Sequence, residues 1–383
     1  MRKVKLSEIA EINGGSTPST KNEEYWNGEI VWLSPSDLPE IGEIVRINDS
    51  ERKITRVGLN SCSAKLLDPD TVIFSSRASI GKIAINDIPV ATNQGFINFT
   101  CGDEIDKMYL AYVLKYLTED IVQLSNSTTF KEVSKRAIKD FKIPLTSLAE
   151  QKAIVAKLDR AQRLIDIDKA MLEKYDQLIQ SVFLDMFGDP VKVSIDDDNT
   201  FELDELVDFQ GGGTPSKKNN DFWGGEIPWV SPKDMKWTFI TDSQDKITSA
   251  AIKESSTKLI KSGAVLSVVR SGILKNKWPL AINTVDVTLN QDMKALICSE
   301  KINNYFLLYY LKNYSRKVLG TVRGTTADNI STKVFKNIPI KLPELNKQLE
   351  FLRIVNAIIK EKKATKVKKS EELFSSLVQE VFG

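Results

Sequence analysis

The two arginines Arg77 and Arg270 are the side chains of this sequence that are best suited to bind a polyanion. Arg77 lies in "SSRASIGK" and Arg270 in "VVRSGILKNKW", and each follows a run of apolar and β-branched residues that is typical of a strand. A guanidinium group donates hydrogen bonds to phosphate oxygens and to base edges in the major groove of DNA. We therefore predict that these two loop arginines contact bases or phosphates.

Polar and basic residues of the same character occur in three loops of each half of the chain. The full set of candidate DNA contacts is Thr17, Lys21, Asn22, Ser76, Arg77, Lys82, Thr128, Thr129 and Lys131 in the first half, and Thr214, Lys217, Lys218, Asn219, Arg270, Ser271, Lys275, Lys277, Arg323, Thr325 and Thr326 in the second. The tryptophans that recur beside them, Trp26, Trp32, Trp223 and Trp229, are better explained by core packing, and the pairs Asn93-Gln94 and Asn290-Gln291 by strand capping.

Several kinds of chemistry are disfavoured by what the sequence lacks. It has no histidine, which argues against imidazole-based nucleophiles and histidine metal sites, and its three cysteines form no CxxC pair. Neither a G-x-x-x-x-G-K-[ST] phosphate loop nor a G-x-G-x-x-G fingerprint is present. We expect no catalytic residues, no bound metal and no cofactor on the chain itself. The N-terminal segment lacks the apolar core of a signal peptide, so we expect a cytoplasmic protein.

An internal duplication organises the chain. Residues 14–38, "GGSTPSTKNEEYWNGEIVWLSPSDL", align without a gap to residues 211–235, "GGGTPSKKNNDFWGGEIPWVSPKDM", and 15 of the 25 positions are identical. The same offset of 197 residues matches Asn93-Gln94 with Asn290-Gln291 and "IDKMYLAYVLK" with "INNYFLLYYLK". Short strand-like runs between turn residues predict an α+β fold with a mostly antiparallel sheet in each copy.

A long proline-free stretch of helical periodicity follows each copy. We predict domains at 1–148 and 189–343, a central long helix at 149–188 and a C-terminal long helix at 344–383. Apolar residues step by three and four along both stretches, which is the spacing of a coiled coil. The seam positions that we assign are Ile154, Leu158, Ile165, Leu172 and Ile179 in the first helix and Val355, Ile358, Val367, Phe374 and Leu377 in the second. Lysines between 360 and 369 form either a solvated face or a basic strip that faces DNA or an acidic partner.

The order of the elements constrains how these helices can pair. The first helix carries the chain into the second domain and the second helix leaves from it, so the second buries its seam by folding back along the first. We expect an antiparallel coiled coil with an approximate internal two-fold axis.

This pattern resembles the specificity subunit of type I restriction-modification systems. The resemblance covers the whole chain and rests on the domain-helix-domain-helix order, the two W-x-S-P-x-D segments, the Asn-Gln pairs and "IPLTSLAEQKAIVAKLD" at 143–159. The second copy departs from it, because "ELNKQLEFL" at 344–352 replaces the "AEQ" start of the first helix.

The resemblance implies that each domain recognises one half of a bipartite, asymmetric DNA target and that the coiled coil sets the spacer between the halves. It also implies two docked methyltransferase subunits, which supply the chemistry of S-adenosylmethionine on adenine, and restriction subunits that translocate DNA. Two other functions remain open at this point: a tandem-domain DNA-binding repressor, and a carbohydrate- or protein-binding module without a methyltransferase partner.

Overall fold

The computed structural model describes residues 1–125, 132–322, 328–365 and 367–383, which form two compact units. Unit 1 comprises Met1–Lys169 and Lys366–Gly383, and unit 2 comprises Ala170–Thr365. Each unit thus contains one predicted domain together with part of both helical regions. The predicted residues Thr128, Thr129, Lys131, Arg323, Thr325 and Thr326 lie outside the described residues.

The described residues of unit 1 form ten strands and the helices that pack with them. The strands are β1 (Arg2–Lys5), β2 (Ala10–Gly14), β3 (Trp26–Leu33), β4 (Ile44–Ile47), β5 (Lys53–Ile54), β6 (Val72–Ser75), β7 (Ile83–Asn86), β8 (Val90–Thr92), β9 (Phe96–Cys101) and β10 (Lys142–Leu145). The helices are α1 (Leu6–Ile9), α2 (Arg56–Asn60), α3 (Lys107–Tyr116), α4 (Thr118–Gln123), α5 (Lys135–Asp140) and α6 (Leu148–Phe187), and α6 continues into unit 2.

Unit 2 repeats this plan. Its strands are β11 (Thr200–Glu202), β12 (Val207–Gly211), β13 (Trp223–Val230), β14 (Phe239–Ile240), β15 (Asp245–Ile247), β16 (Val265–Val268), β17 (Leu280–Asn283), β18 (Thr288–Leu289), β19 (Met293–Cys298) and β20 (Pro339–Lys341). Its helices are α7 (Leu203–Leu206), α8 (Ser249–Glu254), α9 (Asn304–Leu319), α10 (Thr332–Lys336) and α11 (Leu345–Ala364), and the last helix of the chain, α12 (Val367–Phe382), belongs to unit 1.

The sheets of the two units have the same strand order. Unit 1 has a five-stranded sheet β2-β9-β6-β7-β4, a three-stranded sheet β5-β3-β8 and the pair β1-β10, and unit 2 has β12-β19-β16-β17-β14, β15-β13-β18 and β11-β20. In each unit two strand pairs are parallel, β4 with β7 and β3 with β8 in the first, and β14 with β17 and β13 with β18 in the second. The other pairings are antiparallel, so the prediction of a mostly antiparallel α+β fold is confirmed.

The central strand β6 shows why its first three residues, Val72, Ile73 and Phe74, are all apolar. Val72 and Phe74 point to one face of the sheet, where they pack in a cluster with helix α3, while Ile73 points to the other face and packs in a cluster with the three-stranded sheet. All four residues of β6 are buried. Because successive strand residues alternate between faces, a sheet covered on both sides requires a continuous apolar run instead of an alternating one.

Within each unit the long helices pair in the antiparallel sense. In unit 1, Lys157 of α6 lies 3.0 Å from Glu380 of α12 and Ser370 donates to Asp168 at 2.5 Å, so positions rise along one helix as they fall along the other. The hydroxyl of Ser370 thus satisfies one carboxylate oxygen of Asp168 between the two helices. In unit 2, the rings of Phe183 and Phe351 lie 5.5 Å apart and Lys362 lies 2.6 Å from Asp176, which is the same antiparallel order.

The predicted seam residues are largely buried. Ile154, Leu158, Ile165, Ile179, Val355, Ile358 and Phe374 are buried, while Leu172, Val367 and Leu377 are half-buried. The second helical region differs from the prediction of one long helix, because α11 ends at Ala364. Thr365 is extended and its N–H bonds the carbonyl oxygens of Glu361 and Lys362, both at 3.2 Å, which closes the end of α11.

A buried glutamine fastens each long helix to its unit. The amide of Gln151 accepts from the N–H of Asp106 and donates to the carbonyl oxygens of Glu104 and Thr146, each at 2.8 Å, and its side chain is fully buried. Asp106 caps α3, so this amide joins the start of α6 to the start of α3.

Gln348 forms the same junction in unit 2. It accepts from the N–H of Asn303 at 2.7 Å and donates to the carbonyl oxygens of Lys301 and Pro343 at 3.1 and 2.8 Å. The sequence at 344–352 differs from the start of the first helix. Gln348 nevertheless gives the start of α11 the same hydrogen bonds that Gln151 gives the start of α6.

We expect Gln151→Ala to destabilise unit 1 by about 1–3 kcal/mol or more, because three partly buried backbone groups lose the amide that bonds them. Hydrogen exchange at residues 104–106 and urea unfolding would measure the loss. Gln180→Ala, at an exposed position of the same helix, is the matched control and should change stability by less than about 0.5 kcal/mol. Equal stability of the two variants would contradict the role of the buried amide.

Candidate nucleic-acid interface

The turn after β3 is held by a carboxylate. The N–H and the hydroxyl of Ser34 donate to one oxygen of Asp37 at 2.8 and 2.7 Å, and the other oxygen accepts the N–H of Glu51 at 3.2 Å. Ser231 and Asp234 form the same turn after β13. This W-x-S-P-x-D segment therefore ties the beginning of a loop that differs between the copies to its end.

The glycines of the repeated segment allow two backbones to meet. A Cβ atom on Gly15 would lie 2.0 Å from the carbonyl oxygen of Asn93, and one on Gly212 would lie 1.9 Å from that of Asn290. Any side chain at these positions would force the strands apart. The glycine-rich stretch is thus a close crossing beside the Asn-Gln turn.

Next to that crossing, matching hydroxyl and amide groups join the same loops. Thr17 donates to the side-chain oxygen of Gln94, and Thr214 donates to that of Gln291. The two predicted DNA contacts Thr17 and Thr214 therefore also stabilise the framework of their own loops.

The recurring tryptophans pack together as predicted. Trp32 and Trp229 are buried, and Trp26 and Trp223 meet them edge-on with ring centroids 5.1 and 5.2 Å apart. The indole N–H of Trp26 donates to the carbonyl oxygen of Ser19 at 3.1 Å, which holds the loop before Lys21 in place. The packed tryptophan side chains therefore support the loops that carry the predicted contacts.

Arg77 and Arg270 occupy corresponding places but have different partners. Arg77 forms a backbone bridge with Glu132 and an ion pair from Nη2 to its carboxylate at 2.6 Å. Arg270 forms a backbone bridge with Asn329, and its Nε lies 2.6 Å from a carboxylate oxygen of Asp292. About half of each arginine side chain is exposed, at 43% and 53%.

Each bridge sets an arginine beside the end of a predicted contact segment. Glu132 directly follows the segment that contains Thr128, Thr129 and Lys131, and Asn329 follows the segment that contains Arg323, Thr325 and Thr326. The structure thus places each arginine against a residue that follows a predicted contact segment, while the segments themselves lie outside the described residues.

Comparison with known proteins places this arrangement in a family. The family described as "Type I restriction modification DNA specificity domain" matches residues 1–175 and again residues 196–374. The chain belongs to this family. It is a type I restriction-modification specificity subunit with two DNA specificity domains, one in each unit.

Individual relatives agree with the family match. The chain is 30% identical over 365 residues to the type I restriction enzyme MjaIX specificity subunit of Methanocaldococcus jannaschii. The matched region covers 88% of this chain and 82% of that subunit. It is 39% identical over 157 residues to the EcoR124I/EcoR124II specificity subunit of Escherichia coli, which covers 40% and 39% of the two chains.

Solved structures show the same fold at low identity. A chain from a study of complex assembly and conformational transition of the type I R-M system matches with a TM-score of 0.60 at 19% identity, over 99% of this chain and 96% of that one. A crystal structure of the type I restriction-modification S subunit from M. genitalium matches with a TM-score of 0.50 at 15% identity, over 100% and 96%.

Several predicted contact residues of the specificity domains are open to solvent. Lys21, Thr214, Lys217, Lys218, Arg270, Lys275 and Lys277 are exposed, and Thr17, Arg77 and Ser271 are half-buried. Asn22 and Asn219 are half-buried as well, and each accepts a backbone N–H two residues ahead at 3.1 Å. Ser271 caps a short 3₁₀ turn in a similar way.

Two predicted contacts have their polar groups engaged inside the protein. Lys82 is 9% exposed and its ammonium group donates to the carbonyl oxygens of Pro35 and Leu38, both at 3.2 Å. Ser76 is 3% exposed and its hydroxyl donates to the carbonyl oxygen of Gly95 at 3.2 Å. Both side chains therefore act as framework, and we exclude them from the interface.

One exposed aromatic residue was missed by the sequence analysis. Trp237 is 75% exposed, yet its neighbour Thr238 is fixed: the carbonyl oxygen accepts the N–H of Ile282 at 2.9 Å and the hydroxyl accepts from Lys312 at 3.0 Å. Burial lowers the pKa of Lys312 to about 8. The sequence did contain a signal for this exposed residue: a tryptophan next to Lys236 that has no counterpart in the other copy.

Two of the three cysteines have shifted pKa values. Burial raises the pKa of Cys101 and of Cys298 to about 12, so the thiols stay protonated at neutral pH.

In the described part of the chain, no helix is both long and apolar enough to cross a membrane.

We expect Lys82 and Lys21 to behave oppositely when substituted. Lys82→Met should lower the free energy of unfolding by about 1–3 kcal/mol, because two buried carbonyl oxygens lose their donor. Lys21→Met, which removes the same charge from an exposed loop, should leave stability unchanged and weaken DNA binding in a salt-dependent way. Thermal unfolding and a DNA titration at two salt concentrations distinguish the two effects, and the reverse pattern would contradict this division.

Proposed function

We propose that each specificity domain recognises one half of a bipartite, asymmetric DNA sequence. The observation that supports the proposal is a common framework with different exposed groups. Both units have the same carboxylate turn, glycine crossing and tryptophan pair. The exposed residues around that framework differ, so two domains of one architecture present different donors to DNA.

The charge distribution fits a protein that finds DNA by local contacts. The net charge of the chain is only +2. Exposed lysines nevertheless cluster in the repeated loops, with Lys21 in the first domain and Lys217 and Lys218 in the second. Phosphate contacts by such residues provide affinity and register, while the arginines provide base recognition.

We further propose that the paired long helices set the spacer between the half-sites and dock two methyltransferase subunits. A partner surface is supported by apolar residues that lie outside the seam: Leu164 and Ile167 of α6 are 48% and 50% exposed. Exposed apolar side chains grouped on one helix mark protein interaction sites more often than scattered ones do.

In this proposal the chain contributes recognition and the partners contribute catalysis. The methyltransferase subunits bind S-adenosylmethionine and transfer its methyl group to adenine, and restriction subunits join the same assembly. The protein acts in the cytoplasm, where DNA and these partners are accessible.

We predict that Arg77→Ala weakens recognition of one half-site and Arg270→Ala weakens recognition of the other, each by about 1–3 kcal/mol. Each arginine belongs to a different unit, so its loss should not affect the bases bound by the other unit. The target is first mapped from methylated adenines in a host that expresses the chain with its methyltransferase, and binding is then measured on duplexes mutated in one half. Equal losses at both halves for either variant would contradict modular recognition.

We also predict that Leu164→Lys combined with Ile167→Lys reduces co-purification with the methyltransferase subunit, because each lysine replaces an apolar contact. The control is Gln177→Lys with Gln180→Lys, which adds two charges at exposed polar positions of the same helix. Reduced capture in the first variant alone supports the docking surface, whereas unchanged capture refutes it. Capture of no methyltransferase by the unmodified chain would instead indicate a DNA-binding protein that acts alone.

A further inference from the structure

The Asn-Gln turn carries the clearest difference between the two units. At the third position of this turn, unit 1 has Gly95 and unit 2 has Asp292. The backbone plays the same part in both, because the carbonyl oxygen of Gly95 accepts the N–H of Ser76 at 2.7 Å and that of Asp292 accepts the N–H of Val269 at 2.9 Å. Only unit 2 therefore has a carboxylate at this place.

The carboxylate of Asp292 is held in a fixed position. One oxygen accepts from Nε of Arg270 at 2.6 Å, and the other accepts from the side-chain amide of Asn290 at 3.3 Å. The N–H of Asp292 in turn donates to the side-chain oxygen of Asn290 at 3.1 Å, and Asn290 is buried. The side chain of Asp292 is 23% exposed, so solvent reaches this ion pair only in part.

This contact determines how Arg270 is presented. A guanidinium has five N–H donors in one plane, and Nε is the one nearest the chain. When Nε is occupied, the two terminal amino groups are left to bind another molecule as a fork. Neither terminal amino group of Arg270 donates a hydrogen bond to another described residue, and 53% of the side chain is exposed.

A fork of two donors matches one base better than the others. Guanine offers two acceptors, O6 and N7, side by side on its major-groove edge, whereas adenine offers N7 beside an amino group that is itself a donor. The charge of Asp292 also offsets that of Arg270, which weakens nonspecific attraction to phosphates relative to a bidentate base contact.

Arg77 is held differently in unit 1. Its ion pair to Glu132 uses a terminal nitrogen, Nη2, and its Nε is buried without a partner among the described residues. One arm of its fork is therefore already occupied. Unit 1 thus holds its arginine through a terminal nitrogen, whereas unit 2 holds its arginine through Nε.

We propose that Asp292 is a positioning residue that orients Arg270 to bind O6 and N7 of a guanine, so that the half-site recognised by unit 2 contains a G·C pair. The inference rests on the proposed function, since it assumes that Arg270 faces DNA.

The test uses the full chain with its methyltransferase subunits and duplexes that carry the mapped target. Each guanine of the half-site that Arg270→Ala affects is replaced singly by 7-deazaguanine, which keeps the base pair but lacks the N7 acceptor. At one position the unmodified chain should bind about tenfold more weakly. Arg270→Ala should bind the normal and the modified duplex equally, because the fork is absent.

Asp292→Asn then tests positioning. It should lose most of the discrimination between guanine and 7-deazaguanine at that position. Mutations in the other half-site should weaken its binding as much as they weaken binding of the unmodified chain. Asp292→Gly, which introduces the residue that unit 1 has, is a second variant in case the first fails to fold, and should have the same effect. Asp286→Asn removes an exposed carboxylate that pairs with Lys261 at 2.8 Å, and should leave the discrimination intact.

The outcomes separate the inference from the proposed function. A half-site without guanine, sensitivity to 7-deazaguanine that survives in Arg270→Ala, or undiminished discrimination in Asp292→Asn and Asp292→Gly would each overturn the inference, while sequence-specific binding of a bipartite target still supports the proposed function. Failure of the unmodified complex to bind any bipartite sequence specifically would overturn both.

Discussion

The structure depends on how each long helix is joined to its unit. Gln151 and Gln348 are fully buried amides at the starts of α6 and α11, and each bonds three backbone groups. A buried amide that lacks these partners would cost several kilocalories per mole, so the junction is either complete or strongly destabilised. The direction of each helix is thereby fixed relative to the sheets of its own unit. The exposed loops depend on those sheets for their positions.

The duplicated residues and the residues that differ have separate roles. Identical positions such as Gly15, Asp37 and Trp32 form close crossings, carboxylate turns and ring packing. A substitution at any of them would disturb these contacts. The residues that differ, Gly95 and Asp292 among them, lie where a side chain can reach solvent. Recognition can therefore change without loss of the framework.

Electrostatics limits what such an interface can bind. The chain is close to neutral, and the two central arginines are each paired with a carboxylate in the absence of DNA. A paired arginine gains less from a phosphate than a free one does, and its geometry is already restricted before binding. Restricted geometry favours discrimination between bases over raw affinity. The exposed lysines of the surrounding loops supply the nonspecific part of the attraction.

The sequence by itself determined the duplication, the α+β class and the helical seam, because these follow from local periodicity and from residues that repeat at a constant offset. It also indicated which loops carry basic groups, and the structure bridges Arg77 to Glu132 and Arg270 to Asn329. Only the tertiary structure decided the role of each residue within them. Lys82 has the composition of a DNA contact, but carbonyl oxygens of Pro35 and Leu38, more than 40 residues away along the chain, occupy its ammonium group.

The same physical reason explains the other differences. Trp237 is exposed beside Thr238, which is anchored to Ile282 and Lys312, and the pairing of Arg270 with Asp292 joins residues 22 positions apart. The second helical region ends at Ala364 and begins again at Val367, although its apolar spacing alone favours one continuous helix. Periodicity describes the face that a segment can bury, whereas the partners that satisfy its polar groups come from distant parts of the chain. Those partners exist only once the fold has formed.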